Sequence, residues 1–264
     1  MMGQTEIEFI RIGANGDHRP VTRAVAVEMP IAIEVNGIGY AVMMATPADL
    51  TDFAYGFVWS ERLVDARAEI LSVDHIQTEF GNRLRIQLAA ERTERLLERF
   101  RHRVSDSSCG MCGIESLEQA MRPLPVVNRT YEIADTAIFR ALAELRKWQP
   151  LNEKTGAVHA AARCASDGRI LDAREDVGRH NAFDKLVGAM LQAGAAWDDG
   201  FALLSSRCSY ELVEKAALSD CPTLVTISAP TSLAVERAKA AGIRLIVLAR
   251  TDAVLALDPD ADGD

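Results

Sequence analysis

The amino-acid sequence predicts an α/β protein, with a layered α/β core in its second half and an added α+β region ahead of it. Three observations carry that expectation. From about residue 150 onward, short apolar strands alternate with amphipathic helices, the pattern of a largely parallel sheet covered on both faces. Before that point two apolar stretches fold back on themselves, at Asn36-Gly37 and at Gly81-Asn82, as hairpins do. The composition is that of a globular chain, with 48% hydrophobic and 25% charged residues over 264 positions, enough for one large core or two modest ones. The expected organisation is 1–150 for the N-terminal α+β region, 151–257 for the core and 258–264 for an acidic, disordered tail.

The elements follow in order. In MPIAIEVNGIGYAVMMAT, apolar residues flank Asn36-Gly37, the strongest short hairpin signal. TPADLTDFAYGFVWSERLV then starts a helix, with Thr46 as its cap, Pro47 in its first turn and Asp49 at the positive end of the dipole. ILSVDHIQTEFGNRLRIQLA supplies a second hairpin, and the charged helix AERTERLLERFRH leads into the loop SSCGMCG. Two helical segments are expected near Ile114–Met121 and Ala134–Lys147. AVHAAARCA and RILDARE read as strands joined by Ser166-Asp167-Gly168, and NAFDKLVGAMLQAG as a helix ending in glycine. FALLSS, PTLVTIS and IRLIVLA are the remaining strands, separated by the helices SYELVEKAALSD and PTSLAVERAKAAG.

The whole chain excludes some functions. A net charge of −9 argues against a general nucleic-acid-binding or anionic-membrane surface. The first residues lack a basic and then apolar leader, and no run of about eighteen apolar residues occurs, so a cytoplasmic protein is expected. Five cysteines is an odd number in a chain too long to need disulfide staples, which suits a reducing compartment. Cys164, Cys208 and Cys221 are scattered singly, and Cys164 and Cys221 read as small buried hydrophobes. Neither G-x-G-x-x-G nor a Walker A loop is present.

Three groups of residues have chemistry to offer. Cys109 and Cys112 stand three apart among serines and glycines, just after the basic run of Arg99, Arg101, His102 and Arg103, which would favour thiolate. A metal clamp, a redox couple and a sulfur-handling pair are all open on spacing alone. Zinc is under-supplied with ligands, and a thioredoxin-like pair would open a helix after a strand. The second group is REDVGRHNAFDK, a dense polar cluster directly after a strand, with His159 of TGAVHAA one strand away. The third comprises two hydroxyl-rich strand-to-helix junctions, SSRCSYE and SAPTSLA, where free helix N–H groups suit phosphate and where Ser and Thr also serve as ordinary caps.

In that order, SSCGMCG, TGAVHAA, REDVGRHNAFDKLVG, SSRCSYELVEKA and SAPTSLAVERAKAAG resemble the formate dehydrogenase accessory sulfurtransferases, the FdhD family, over about residues 25–250. The resemblance implies a cytidine-deaminase-like α/β core and a carrier-type sulfurtransferase. Such a protein takes persulfide sulfur from a cysteine desulfurase and passes it to the molybdenum or tungsten bis-guanine-dinucleotide cofactor. That molybdopterin guanine dinucleotide is bound as a client, not as a resident cofactor, before it enters the formate dehydrogenase catalytic subunit. Carried over by motif, Cys109 and Cys112 handle the sulfur, with Cys109 as the persulfide. The client's contacts would be His159, Arg174, Glu175, Asp176, Arg179, His180, Asn181, Ser206, Ser209, Ser228, Thr231 and Ser232, with the stretch Leu248, Ala249, Arg250, Thr251, Asp252 and Ala253. No metal ligand is assigned, and a homodimer is implied. The rival expectations are a non-catalytic cofactor chaperone with a structural zinc or dithiol pair, and a dithiol-disulfide oxidoreductase.

Overall fold

A computed structural model describes residues 3–105, 122–127 and 133–257. Its strands are β1 (Gln4–Ile12), β2 (His18–Ala26), β3 (Met29–Val35), β4 (Ile38–Ala45), β5 (Ile70–Thr78), β6 (Gly81–Leu88), β7 (His159–Cys164), β8 (Ile170–Asp176), β9 (Phe201–Leu204), β10 (Thr223–Thr226), β11 (Arg244–Val247) and β12 (Leu255–Leu257). Its helices are α1 (Leu50–Ser60), α2 (Thr93–Ser105), α3 (Asp135–Leu145), α4 (Pro150–Thr155), α5 (Arg179–Ala193), α6 (Tyr210–Leu218) and α7 (Ser232–Ala241). The acidic stretch 258–264 and the segment expected as a helix near Ile114–Met121 lie outside the described residues, as do Cys109 and Cys112.

The strands form three sheets: β1-β2 alone, β4-β3-β6-β5, and the six-stranded β12-β11-β10-β9-β7-β8. One face of the six-stranded sheet packs on α3 through Ala162, Leu203, Val225 and Ile246. The other packs on α5, α6 and α7 through Ala161, Leu204, Leu224 and Leu245. The four-stranded sheet buries Ile31, Ile33, Leu84 and Ile86 against Phe53, Phe57 and Val58 of α1. The fold is therefore layered and mixed α/β, with helices between two sheets.

The expected parallel sheet is only partly parallel. β9, β10 and β11 pair in parallel, whereas β7 is antiparallel to both its neighbours and β12 is antiparallel to β11. Antiparallel β7-β8 follows from the short turn Ser166-Asp167-Gly168, which leaves no room for a crossover helix.

The first expected hairpin turns at Asn36 (φ 47) and Gly37 (φ 79), both left-handed, as a two-residue turn with this twist requires. The second turns earlier than expected. Thr78 pairs with Gly81, so Glu79 and Phe80 form the bend and Gly81-Asn82 already belong to β6. Gly81 (φ 143) is there because a Cβ would sit 2.3 Å from the Pro30 carbonyl oxygen of β3. Thr46 is not the cap of α1. That position is held by Asp49 in the left-handed region, φ 52, without a side-chain bond. Thr46 is wholly buried and spends its hydrogen bonds on the turn after β8, a tertiary pull stronger than a local cap.

Helices α1 and α5 cross at glycine. A Cβ on Gly56 would lie 1.8 Å from the Asp184 carbonyl oxygen, and one on Gly188 would lie 1.8 Å from that of Asp52. Backbone thus rests directly on backbone. Ser60 Oγ and Lys215 Nζ both reach Asp184 Oδ1, at 2.6 and 2.7 Å, and fasten α6 to the same crossing. Replacing Gly188 with alanine forces the helices apart, and overpacking of this kind costs about 1–3 kcal/mol or more. Urea unfolding should show that loss for Gly188→Ala, and next to none for Gly39→Ala, whose added methyl meets open space.

Candidate functional site

β8, β9, β10 and β11 all end at one edge of the six-stranded sheet, and antiparallel β7 begins there. The loops beyond that edge are laced together by backbone bonds. Ser205 N–H donates to Ala160 O at 3.0 Å, Ser228 N–H to Ser206 O at 3.3 Å and Leu248 N–H to Ser228 O at 3.3 Å. Cys208 and Pro230 form a parallel bridge between the loops entering α6 and α7. The N-termini of α5, α6 and α7 therefore open on the same edge as His159, Ser206, Ser209, Ser228, Thr231, Ser232 and the loop Leu248–Ala253. Residues far apart in sequence are gathered here.

The hydroxyls divide by their partners. Thr231 Oγ1 accepts from Ala234 N–H at 3.2 Å and is an ordinary cap of α7. Buried Ser206 donates to the Arg207 carbonyl at 3.0 Å. Ser209 opens α6 without capping it, and its Oγ stands 3.1 Å from His180 Nε2. The same His180 nitrogen is 2.7 Å from Glu211 Oε2, and that contact holds the Glu211 carboxyl below the usual range. Leu248 takes a left-handed conformation, φ 49, and Arg250 is exposed beyond it.

Basic side chains gather around His159 at the edge. His159 is half-buried and its pKa is lowered, first by burial and then by the charges of Arg179, His180 and Arg207. Arg179 Nε is buried with no hydrogen-bond partner. Guanidinium groups beside three helix N-termini make a cradle for anionic groups such as phosphates.

The rest of REDVGRHN faces inward. Asp176 is fully buried and ion-paired to fully buried Lys185 at 2.6 Å. Its Oδ2 also accepts from Thr46 N–H at 3.0 Å, and its Oδ1 from Gly178 N–H at 2.8 Å and Asn181 Nδ2 at 3.0 Å. Asn181 Nδ2 further donates to Met44 O at 2.9 Å. Arg174 pairs with Asp52 of α1 at 2.7 Å. Glu175, one residue on and so on the other face of β8, accepts from Leu151 and Asn152 N–H, both at 2.8 Å, at the start of α4. Burial raises the Glu175 pKa in spite of those bonds. These four side chains hold the edge in place, while Arg179 and His180 are the ones set on it.

Three comparisons bear on this arrangement. The FdhD/NarQ family profile matches residues 26–257. The chain belongs to the FdhD/NarQ family. It is 45% identical over 245 residues to the sulfur carrier protein FdhD of Xanthomonas euvesicatoria pv. vesicatoria, covering 92% of this chain and 87% of the relative. It is 43% identical over 228 residues to that of Variovorax paradoxus, covering 86% and 82%. A crystal structure from Desulfotalea psychrophila, described as a formate dehydrogenase accessory protein, has the same fold, with a TM-score of 0.74 over 97% of both chains at 23% identity.

In this FdhD/NarQ chain, Cys164, Cys208 and Cys221 are all fully enclosed. Burial pushes the Cys208 and Cys221 thiols up to about 12 and that of Cys164 higher still. None is a thiolate at neutral pH. Among the described residues no group of three or more His, Cys, Asp or Glu could hold a metal, and no helix is long and apolar enough to cross a membrane. Sequence reasoning missed Lys185 and Arg207. A signal for Lys185 was available: it closes the polar cluster REDVGRHNAFDK and lies four residues after Asn181, on the same face of the helix.

His159 gives the site a measurable signature. A depressed pKa means that the unfolded chain takes up the proton first as pH falls. Stability contributed by His159 is thus present above its unfolded value of 6.5 and declines as pH falls from there through the lower folded value. NMR titration should place the His159 midpoint below 6.5, and Arg179→Ala should move it upward by removing a repelling charge. An unmoved midpoint would show that the guanidinium does not act on the imidazole.

Proposed function

We propose that this protein is a sulfur carrier for formate dehydrogenase maturation, working in the cytoplasm as a homodimer on a deaminase-like layered core. It would accept persulfide sulfur from a cysteine desulfurase and deliver it to the molybdenum or tungsten bis-guanine-dinucleotide cofactor, which is cargo here. Support for the general role comes from the relatives, named as sulfur carriers, and from the structural neighbour's description.

The observation that carries the reading is the fate of the cysteines. Three of five are sealed in the core with raised pKa values, so exchange with a macromolecular donor falls to Cys109 and Cys112. In the proposed step the Cys109 thiolate attacks the outer sulfur of the donor's persulfide. A new S–S bond forms at Cys109, the donor's S–S bond breaks, and the donor cysteine leaves as thiolate with no net change of oxidation state. The cargo's phosphates would meet Arg179, His180, Ser209 and Arg250 at the sheet edge, with His159 neutral behind them.

Incubation with a cysteine desulfurase and free cysteine, followed by intact-mass analysis and peptide mapping, tests the first half. One extra sulfur on the SSCGMCG peptide, removed by reductant and absent from Cys109→Ala, is the expected result. No added sulfur, with zinc kept on both thiols, would convert the protein to a cofactor chaperone. For the second half, Arg179→Ala should load sulfur normally. It should bind guanine nucleotide about ten- to a hundredfold more weakly, the loss expected for one charge-assisted hydrogen bond.

A further inference from the structure

A second basic feature lies at the other end of α6. Ser209 starts that helix on the sheet edge, and Leu218 ends it in the wall of a cleft of about 490 Å³. The cleft is walled by Arg62 beyond α1, Arg95 and Arg99 of α2, and Arg122. Four guanidinium groups around one cleft are unexpected in a chain of net charge −9.

Pairing does not use them all. Arg62 binds Glu214 at 2.8 Å, and Arg95 binds Asp65 through two bonds of 2.8 and 3.0 Å. Arg99 gives Nε and Nη2 to a single backbone oxygen, that of Glu61, at 3.2 and 2.7 Å. The guanidinium of Arg122 has no hydrogen bond or ion pair with any described residue, while its carbonyl is held by Arg237. Arg62 Nε is buried with no partner. Burial, then the charges of Arg99 and Arg62, lower the Arg122 pKa, although Glu214 and Glu61 pull the other way. Glu98 is the one lining carboxylate outside these pairs, and it is exposed. Two guanidinium groups without carboxylate partners among the described residues, a buried orphan donor and a cleft of ligand size remain. Planar guanidinium forks match the oxygens of a dianion.

We propose that this cleft is an anion site for phosphoryl groups, free or carried on a small molecule, separate from the sheet edge. Arg122 is its principal binding residue, with Arg99 and Arg62 beside it. The side wall of Trp59, fixed by its indole N–H on Leu218 O at 2.9 Å, gives a carried group an apolar surface to rest on. The site does not depend on the sulfur-carrier reading.

Calorimetric titration of the full chain with inorganic pyrophosphate tests it. In the Arg179→Ala background, which removes the contribution of the sheet edge, the expected result is saturable binding that adding Arg122→Gln weakens at least about tenfold, the loss of one charge-assisted contact. Wild-type melting of Arg122→Gln separates lost binding from lost folding. Ribose 5-phosphate binding more tightly than inorganic phosphate assigns the carried form, and the reverse order assigns the free ion. The proposal is overturned if Arg179→Ala does not bind pyrophosphate, or if Arg179→Ala and the Arg179→Ala, Arg122→Gln double variant bind it equally. It is also overturned if an oligo-aspartate peptide binds the cleft and pyrophosphate does not compete, which would give the cleft to an acidic chain.

Discussion

Everything at the sheet edge depends on one buried ion pair. Asp176 and Lys185 are both inaccessible to water, and their charges are tolerable because both carboxylate oxygens accept two bonds each and the ammonium donates to Asp176, Thr46 O and Glu175 O. Lys185 Nζ also donates to Thr46 O at 3.0 Å, so both partners grip the chain just after β4. The pair joins the end of β8, the first two turns of α5 and the exit of the N-terminal sheet. Such a pair adds little over a well-packed apolar substitute, but breaking it from one side costs about 3–5 kcal/mol. Its worth is positional. It sets Gly178, and with it the start of α5, at the place where Arg179 and His180 enter the edge.

The same arrangement explains how one cluster can be both scaffold and site. Strand alternation sends Arg174 and Asp176 toward α1 and α5, and Glu175 toward α4. The next residues turn out of the sheet, and the helix begins with two basic side chains. A rigid inner half and a ligand-facing outer half are thus written in eight consecutive residues. His159, paired across the sheet with Asp176, shares the edge without sharing its ion pair.

What was legible in the sequence was mostly local. Asn36-Gly37 announced its turn because only a left-handed pair fits there. The core elements after residue 150 were legible from apolar periodicity, and Cys164 and Cys221 read as small buried hydrophobes because each stands singly in the sequence. What failed was non-local. Thr46 looks like a cap until Asp176, 130 positions away, claims its N–H. Gly81 looks like a turn residue because nothing in the sequence reveals the Pro30 carbonyl against it. The strands β1 and β2 went unanticipated because the apolar alternation in EIEFIRI changes phase between Phe9 and Ile10, so neither face is consistently apolar. At the edge the polar cluster was conspicuous, but its division into inward and outward residues required knowing which helices pack on β8.

That N-terminal ribbon has a consequence of its own. β1 and β2 are joined through nine residue pairs, yet their sheet has no third strand among the described residues, and Phe9, Ile10 and Ile12 stand 46%, 58% and 69% exposed. It is fastened at its base, where Val27 N–H bonds to Gly3 O at 2.9 Å and Gly3 lies against Leu151. An isolated two-stranded ribbon is marginal in water. Its amides will therefore exchange with solvent through local opening that leaves the layered core shut. The family match begins at residue 26, where the ribbon ends, so a locally opening unit stands just ahead of the matched region.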